Sequence, residues 1–372
     1  MTQPYTFYGS DLSLYSGKVR SYLRFKGIPY IEVSPSFYTF NVTIKRHTGD
    51  AVVPVLVDPQ GNWMQDTSEI IDALEARFPQ APVLPTSPVQ AFAARLFELW
   101  GDEFWLPTAL HMRWSHPKEN YPLFEKDATQ GFFPGWPFWI SRLIVKKGLA
   151  RMLAGFLPIV GVTAQSAPLL DKWTIQQLDA LDHHFADHPF LFGGRPSIGD
   201  FGLIGPLYAH LSRDPWPKRN LIEPRRNLHA WVQRMMNPPA KQGEFLPDDQ
   251  LPESLAPMLR SIFDEMTPYL QSSVRELRDV MQNFAAGQRL PRFLGQTEYP
   301  LGEGRWRQKL LPYTLWMAQR ILDSYRQLPE ADAVKVRTWL ENMGGGAFLT
   351  LDIPRLRRIG LRAALEPAAV TT

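Results

Sequence analysis

Cysteine is absent from all 372 residues. No disulfide framework, thiolate-ligated zinc, iron–sulfur cluster or protein thiol nucleophile can form without it. Any sulfur chemistry must borrow a thiol from a ligand. Charge of one sign is also scarce: 40 Lys and Arg against 37 Asp and Glu leave a net +3, too little for a polyanion-binding surface, so no nucleic-acid partner is expected. The N-terminus has no basic segment leading into an apolar run, which argues against secretion and for a cytoplasmic location. The longest charge-free apolar stretch, Met152 to Leu170, is interrupted by Gly155, Pro158, Gly161, Gln165 and Pro168. A spanning helix needs about 20 mostly apolar residues, so no membrane span is expected.

Proline, by contrast, is abundant: 34 of the 372 residues, about twice the usual share of roughly 5%. It implies sharply ended helices and rigid connections. The 44% apolar and 21% charged content is globular, and the length fits two to three domains. In the first eighty residues, Tyr5 to Tyr8 reads as a strand and Tyr15 to Lys26 as a helix closed by Gly27 and Pro29. Tyr30 to Val33 is a second strand and Val52 to Val57 a third, with a proline near its start. Asp58-Pro59-Gln60-Gly61-Asn62 supplies a turn before the short strand Trp63-Met64. Asp66-Thr67-Ser68 can cap a helix carrying Ile70, Ile71, Leu74 and Phe78. Pro54 is unusual in a strand because it lacks a ladder donor, and a cis Val53–Pro54 bond accounts for it.

Three segments in this order, Ser13-Leu14-Tyr15-Ser16-Gly17-Lys18-Val19-Arg20, Val53-Pro54-Val55-Leu56 and Asp66-Thr67-Ser68-Glu69-Ile70-Ile71, resemble the thioredoxin-like domain of the glutathione transferase family. The resemblance implies glutathione as cosubstrate and no metal. It places Ser13 at the position that faces the glutathione sulfur, although Leu14 stands where the family often has proline. Tyr15, Ser16 and, last, Tyr8 are the alternative hydroxyls. A free thiol titrates near 8.5; a hydroxyl donor at the positive end of a helix would stabilise its anion, while Ser13 could equally be a plain helix cap. Val53 and Pro54 match the dipeptide that pairs with the cysteinyl backbone of glutathione. Asp66 and Thr67 match the pair that holds its γ-glutamyl end at a helix N-terminus. Lys45 and His47 lie where the family often has a cation for the glycyl carboxylate.

From Ser87 the period becomes helical: Phe92, Leu96, Leu99, Trp100 and Phe104 share one face, and further helices are read over 169–186 and 201–212. Ser197-Ile198-Gly199-Asp200 is a capping box and resembles the family's element in its helical domain. The expected fold is an α/β thioredoxin-like domain (1–82), an all-α transferase C-terminal domain (87–240), and an additional helical extension (241–372), with 87–372 nearly all helical. The motif resemblance covers about 1–237.

Within 115–165 an aromatic run, Phe132-Phe133-Pro134-Gly135-Trp136-Pro137-Phe138-Trp139, departs from the family. It reads as buried packing of an inserted helix pair or as an apolar lid over an acceptor site; interfacial membrane contact, supported by Lys146-Lys147, is a third reading. In the extension, Gly344-Gly345-Gly346 reads as a flexible break and Pro367 to Thr372 as a loose tail. His184 and His188 are four residues apart without an evident third metal ligand, and Arg355, Arg357, Arg358 and Arg362 form a basic cluster. The resemblance implies a transferase adding glutathione to the electrophilic carbon of a bulky apolar substrate, or a related lyase or isomerase, acting as a homodimer. The rival reading is a non-catalytic scaffold on the same fold.

Overall fold

The structure is a computed structural model in which residues 3–366 are described; Pro367 to Thr372 lie outside the described residues. Strand β1 (Tyr5–Tyr8) runs into helix α1 (Leu14–Phe25), which ends where Gly27 takes φ 62°. Strand β2 (Tyr30–Val33) follows, then a π-helical stretch (Thr39–Ile44) continuing into α2 (Lys45–Thr48). Strands β3 (Val55–Val57) and β4 (Trp63–Gln65) precede helix α3 (Thr67–Arg77). The sheet order is β2-β1-β3-β4, with β1 parallel to β2 and antiparallel to β3. Phe7 and Leu56 face each other across this sheet, both fully buried. The Val53–Pro54 bond is cis, and sheet pairing starts at Val55, so the proline precedes its strand.

Ser87 caps helix α4 (Pro88–Leu99), which continues through a π-helical turn, Trp100–Phe104. Helices α5 (Leu106–Trp114), α6 (Pro117–Phe132), α7 (Phe138–Ile144) and α8 (Arg151–Ala154) follow, the last two joined by helical Val145–Ala150. The long α9 (Ala167–Asp187) leads to α10 (Ile198–Pro206), short α11 (Pro215–Pro217) and α12 (Arg226–Met236). The Ser197–Asp200 capping box is present. Asp200, buried, also accepts from the Leu191 amide at 3.0 Å and the Trp231 indole at 3.1 Å, which ties three elements together. Glycine is required where α10 crosses the Trp100–Phe104 turn: a Cβ on Gly101 would lie 2.5 Å from the Gly202 carbonyl carbon.

Beyond residue 241 come α13 (Ala256–Ser261) and α14 (Thr267–Met281), then the hairpin of β5 (Leu294–Leu301) and β6 (Gly304–Leu310). Helices α15 (Pro312–Arg326) and α16 (Glu330–Asn342) and a second hairpin, β7 (Leu356–Ile359) with β8 (Arg362–Leu365), complete the described chain. The two hairpins correct the expectation that 87–372 would be nearly all helical. Their cause is a period of two: Trp306, Gln308 and Leu310 are buried while Arg305, Arg307 and Lys309 are exposed. The glycine run at 344–346 is likewise a packed turn instead of a flexible break, since a Cβ on Gly345 would lie 2.5 Å from the Phe263 ring.

One hydrophobic core runs through all three segments, as where Phe92 of α4 packs against Tyr325, Trp339 and Phe348. Among the described residues no helix is long and apolar enough to cross a membrane, and no group of acids and histidines could hold a metal. His184 is buried, bonded to Ser254 at 2.8 Å, and pushed by burial and the neighbouring His188 down to about 3.

Candidate functional site

The hydroxyls near the start of α1 have different positions. Ser13 is the helix cap, its Oγ accepting from the Ser16 amide at 3.2 Å. Ser16 is buried and its Oγ accepts from the Ser10 amide at 3.2 Å. Tyr15 alone of these lines a cleft, of about 110 Å³, together with Val53, Pro54, Asp66 and Thr67. Tyr8 is stacked on Trp63 at 5.5 Å, and His47 stacks on the same indole at 4.1 Å. Lys45 and His47 are exposed, and neither lines the cleft.

Asp66 has the most unusual backbone at the site, with φ 89° and ψ 128°. Such a conformation costs an L residue about 1–3 kcal/mol and persists only where the surroundings enforce it. Here it turns Oδ1 into the start of α3, accepting from the Ser68 amide at 3.0 Å and the Glu69 amide at 3.3 Å. Oδ2 points away from the cap and accepts from the hydroxyl of Tyr313, a residue of α15. Thr67, buried, begins α3 beside it.

Behind the cleft lies a buried ionic group. The Lys18 ammonium sits between Glu98 at 2.7 Å and Asp102 at 2.5 Å, and Ser68 Oγ donates to Glu98 at 2.8 Å. Burial alone would lower the ammonium, but the two carboxylates outweigh it and hold Lys18 above its usual range. One ammonium cannot neutralise two carboxylates. Burial, with Glu98 and Asp66 adding repulsion, pushes Asp102 up to about 7 against the pull of Lys18. Burial also pushes Glu103, which lines the cleft, up to about 8. Its Oε2 accepts from Thr314 at 2.7 Å, and the Tyr15 hydroxyl donates to the Asp102 carbonyl at 3.3 Å and to Glu103 Oε1 at 3.5 Å. Burial and the nearby acids hold the Tyr15 and Tyr313 hydroxyls well above the ordinary phenol range.

The extension forms the opposite wall with Arg292, Leu311, Tyr313 and Leu361. It is clamped to the first domain by ion pairs of Arg358 with Glu69, Arg320 with Asp72 and Arg289 with Asp50. Arg358 also donates to the Gln65 side chain at 2.7 Å. Two members of the C-terminal basic cluster are thus paired within the chain, since Arg355 meets Asp323 at 2.6 Å. None of the residues at this wall was a candidate from sequence, and neither were Lys18, Glu98, Asp102 and Glu103. The acids did carry a signal: Glu98 and Asp102 are spaced four apart, on one face of a helical run rich in apolar residues.

The aromatic insertion does not line this cleft. Phe132 and Phe133 are half-buried against Phe40 and Phe37, but Trp136, Phe138 and Trp139 are exposed, which corrects the reading of the run as buried packing. The lid reading also fails for this cleft.

Family models for the glutathione S-transferase N-terminal domain and C-terminal domain match residues 7–82 and 175–234. The two matches lie in chain order and cover 136 of the 372 residues, so the chain carries regions similar to both domains of that family. Neither match extends past residue 234. Among solved structures, similar chains include a glutathione S-transferase from Methylobacterium radiotolerans in complex with glutathione sulfonate (21% identity, 66% of this chain and 99% of that one, TM-score 0.38). Glutathione transferase GSTFuA3 from Phanerochaete chrysosporium (16%, 64% and 98%, TM-score 0.45) and the beta-etherase LigF from Sphingobium sp. (17%, 63% and 95%, TM-score 0.42) are others. No curated protein sequence matches the chain.

Proposed function

We propose that the protein is a glutathione-dependent transferase whose thiol lies in the cleft between the first domain and the extension. The observation that carries the reading is the strained Asp66 at the start of α3, in one cleft with Thr67, Val53–Pro54 and the Tyr15 hydroxyl. Backbone strain of this kind clusters at ligand sites, and a helix N-terminus beside an acid suits the carboxylate and ammonium of a γ-glutamyl group. In this reading Val53 offers its main chain to the cysteinyl unit. The thiol loses its proton to solvent. Tyr15, placed at the positive end of α1 and kept protonated, turns its O–H from the Asp102 carbonyl and Glu103 to the sulfur anion. The sulfur electron pair then forms the bond to an electrophilic carbon of an apolar substrate held by Leu106, Leu311 and Leu361. The leaving group departs with its own electron pair. Ser13, whose oxygen accepts at the helix cap and which does not line the cleft, takes second place. Pairing of two copies in the cytoplasm is part of the same proposal.

The test is thiolate absorbance of bound glutathione against pH. Tyr15→Phe should raise the thiol pKa by about one unit, roughly 1.4 kcal/mol of lost stabilisation, and lower turnover near pH 7 about tenfold, while Ser13→Ala leaves the titration in place. A shift in Ser13→Ala alone would transfer the role back to Ser13.

One observation favours a second reading. The Tyr313 hydroxyl already occupies the Asp66 oxygen that would meet an ammonium, and 110 Å³ is small beside the roughly 300–1,000 Å³ of ordinary ligand pockets. On a non-catalytic scaffold the extension would fill the site permanently. Calorimetry separates the two: millimolar glutathione binds the wild type in the first case and leaves it unbound in the second.

A further inference from the structure

An apolar surface lies outside this site. Trp136, Trp139 and Met152 are 55%, 73% and 59% exposed, and Phe138, Leu143 and Ile144 are open to solvent with them. Five of the six belong to one continuous helical segment, α7 through Val145–Ala150 to α8, and Trp136 to the turn before it. Scattered exposed side chains are ordinary, but a contiguous group marks an interaction surface. The surface continues onto the first domain: Phe37 stacks on Phe133 at 6.1 Å, Phe133 meets Trp136 at 5.6 Å, and Tyr38 is exposed beside them.

Its charge is one-sided. No Asp or Glu occurs between Asp127 and Asp171, while Arg142, Lys146, Lys147 and Arg151 all fall on the helical segment. Arg142 is paired with Glu125 at 2.6 Å. Lys146, Lys147 and Arg151 are exposed and have no acidic side chain within ion-pair distance among the described residues. Apolar and basic side chains are interleaved, Leu143 and Ile144 being followed by Lys146 and Lys147.

We propose that this face docks on an anionic lipid bilayer, the rings entering the boundary between headgroups and acyl chains and the three unpaired cations meeting lipid phosphates. Tryptophan favours that boundary, because its ring is apolar and its N–H wet. A helix mixing aromatic and basic residues lies in the interface plane, where Lys and Arg stems lie along apolar surface with their charged ends in water. A bilayer supplies an apolar layer and an anionic layer together, matching both halves of this surface. The docked face leads toward the cleft: Phe156, just past α8, packs on Phe293 at 5.8 Å and beneath Arg292 at 5.4 Å, and Arg292 lines the cleft.

The experiment is flotation of the full-length protein with vesicles of phosphatidylcholine containing about one third phosphatidylglycerol at low salt, compared with phosphatidylcholine alone. Each Lys or Arg near an anionic surface is worth about fivefold in binding. Binding should therefore be at least tenfold stronger to the anionic vesicles, with a blue shift of tryptophan emission. Trp139→Glu with Leu143→Glu, and separately Lys146→Glu with Lys147→Glu, should each weaken it by about tenfold or more while circular dichroism and the unfolding midpoint are unchanged. No flotation with anionic vesicles, or flotation of both variants equal to that of the wild type, overturns the proposal. So does a wild type that sediments as an oligomer and becomes monomeric in the Trp139→Glu, Leu143→Glu variant, since the face would then be an interface between copies.

Discussion

The two walls of the cleft are built from different material. On the first domain the wall rests on the sheet edge at Val53–Pro54 and on Asp66, held at φ 89° with its carboxylate on the amides at the start of α3. On the extension it rests on side-chain tips, the Tyr313 hydroxyl and the Arg292 guanidinium, with Leu311 and Leu361 between them. Backbone groups cannot be exchanged by point substitution without rebuilding the fold, whereas tips can. Under the proposed function, the contrast would assign the common part of a ligand to the first wall and selectivity to the second.

The largest test of that contrast removes the support behind the first wall. Lys18→Met leaves Glu98 and Asp102 buried without their ammonium and should destabilise the protein by about 3–5 kcal/mol in urea unfolding; a loss below about 1 kcal/mol would mean that water reaches the pair. Next comes pH. Glu103 keeps its proton to about 8 when folded but releases it near 4.5 when unfolded. Between those values the native state holds the extra proton, so stability falls as pH rises, by up to about 5 kcal/mol in all. Thermal melts from pH 5 to 8 should show this decline together with the smaller one from Asp102, and Glu103→Gln should make it shallower.

Smaller effects separate the walls directly. Asp66→Asn keeps a side chain able to cap α3 but removes the charge, and should weaken glutathione binding by about 1.5–3 kcal/mol. Tyr313→Phe should do the reverse, strengthening it by about 0.5–1.5 kcal/mol because the Asp66 oxygen no longer has to be released. Calorimetry reads both. Losses of the same sign would mean that Tyr313 helps to hold the ligand instead of competing for its place.

The first wall was largely legible in sequence because its signals are local. Pro54 beside a strand, Asp66-Thr67 before an apolar helix and the hydroxyls around Tyr15 each act within a few residues. Choosing among those hydroxyls was not possible, since the direction of Tyr15 into the cleft depends on packing against Glu103 and Leu106, far along the chain. The second wall had no local signature at all. Tyr313 reaches Asp66 across 247 positions, and nothing around it spells a ligand site. The hairpins are hard to read in sequence for a related reason: the Arg305–Leu310 alternation is short and lies between strong helical stripes that dominate the pattern.

That separation along the chain has a consequence in time. At roughly 5–20 residues per second, the 247 positions between Asp66 and Tyr313 take about 12–50 s to translate. During synthesis the first domain can fold as soon as it emerges, with its acid still uncovered. Until Tyr313 arrives, the Asp66 oxygen that it meets in the finished molecule lacks that partner, so the closing of the cleft is the last event of synthesis and not the first.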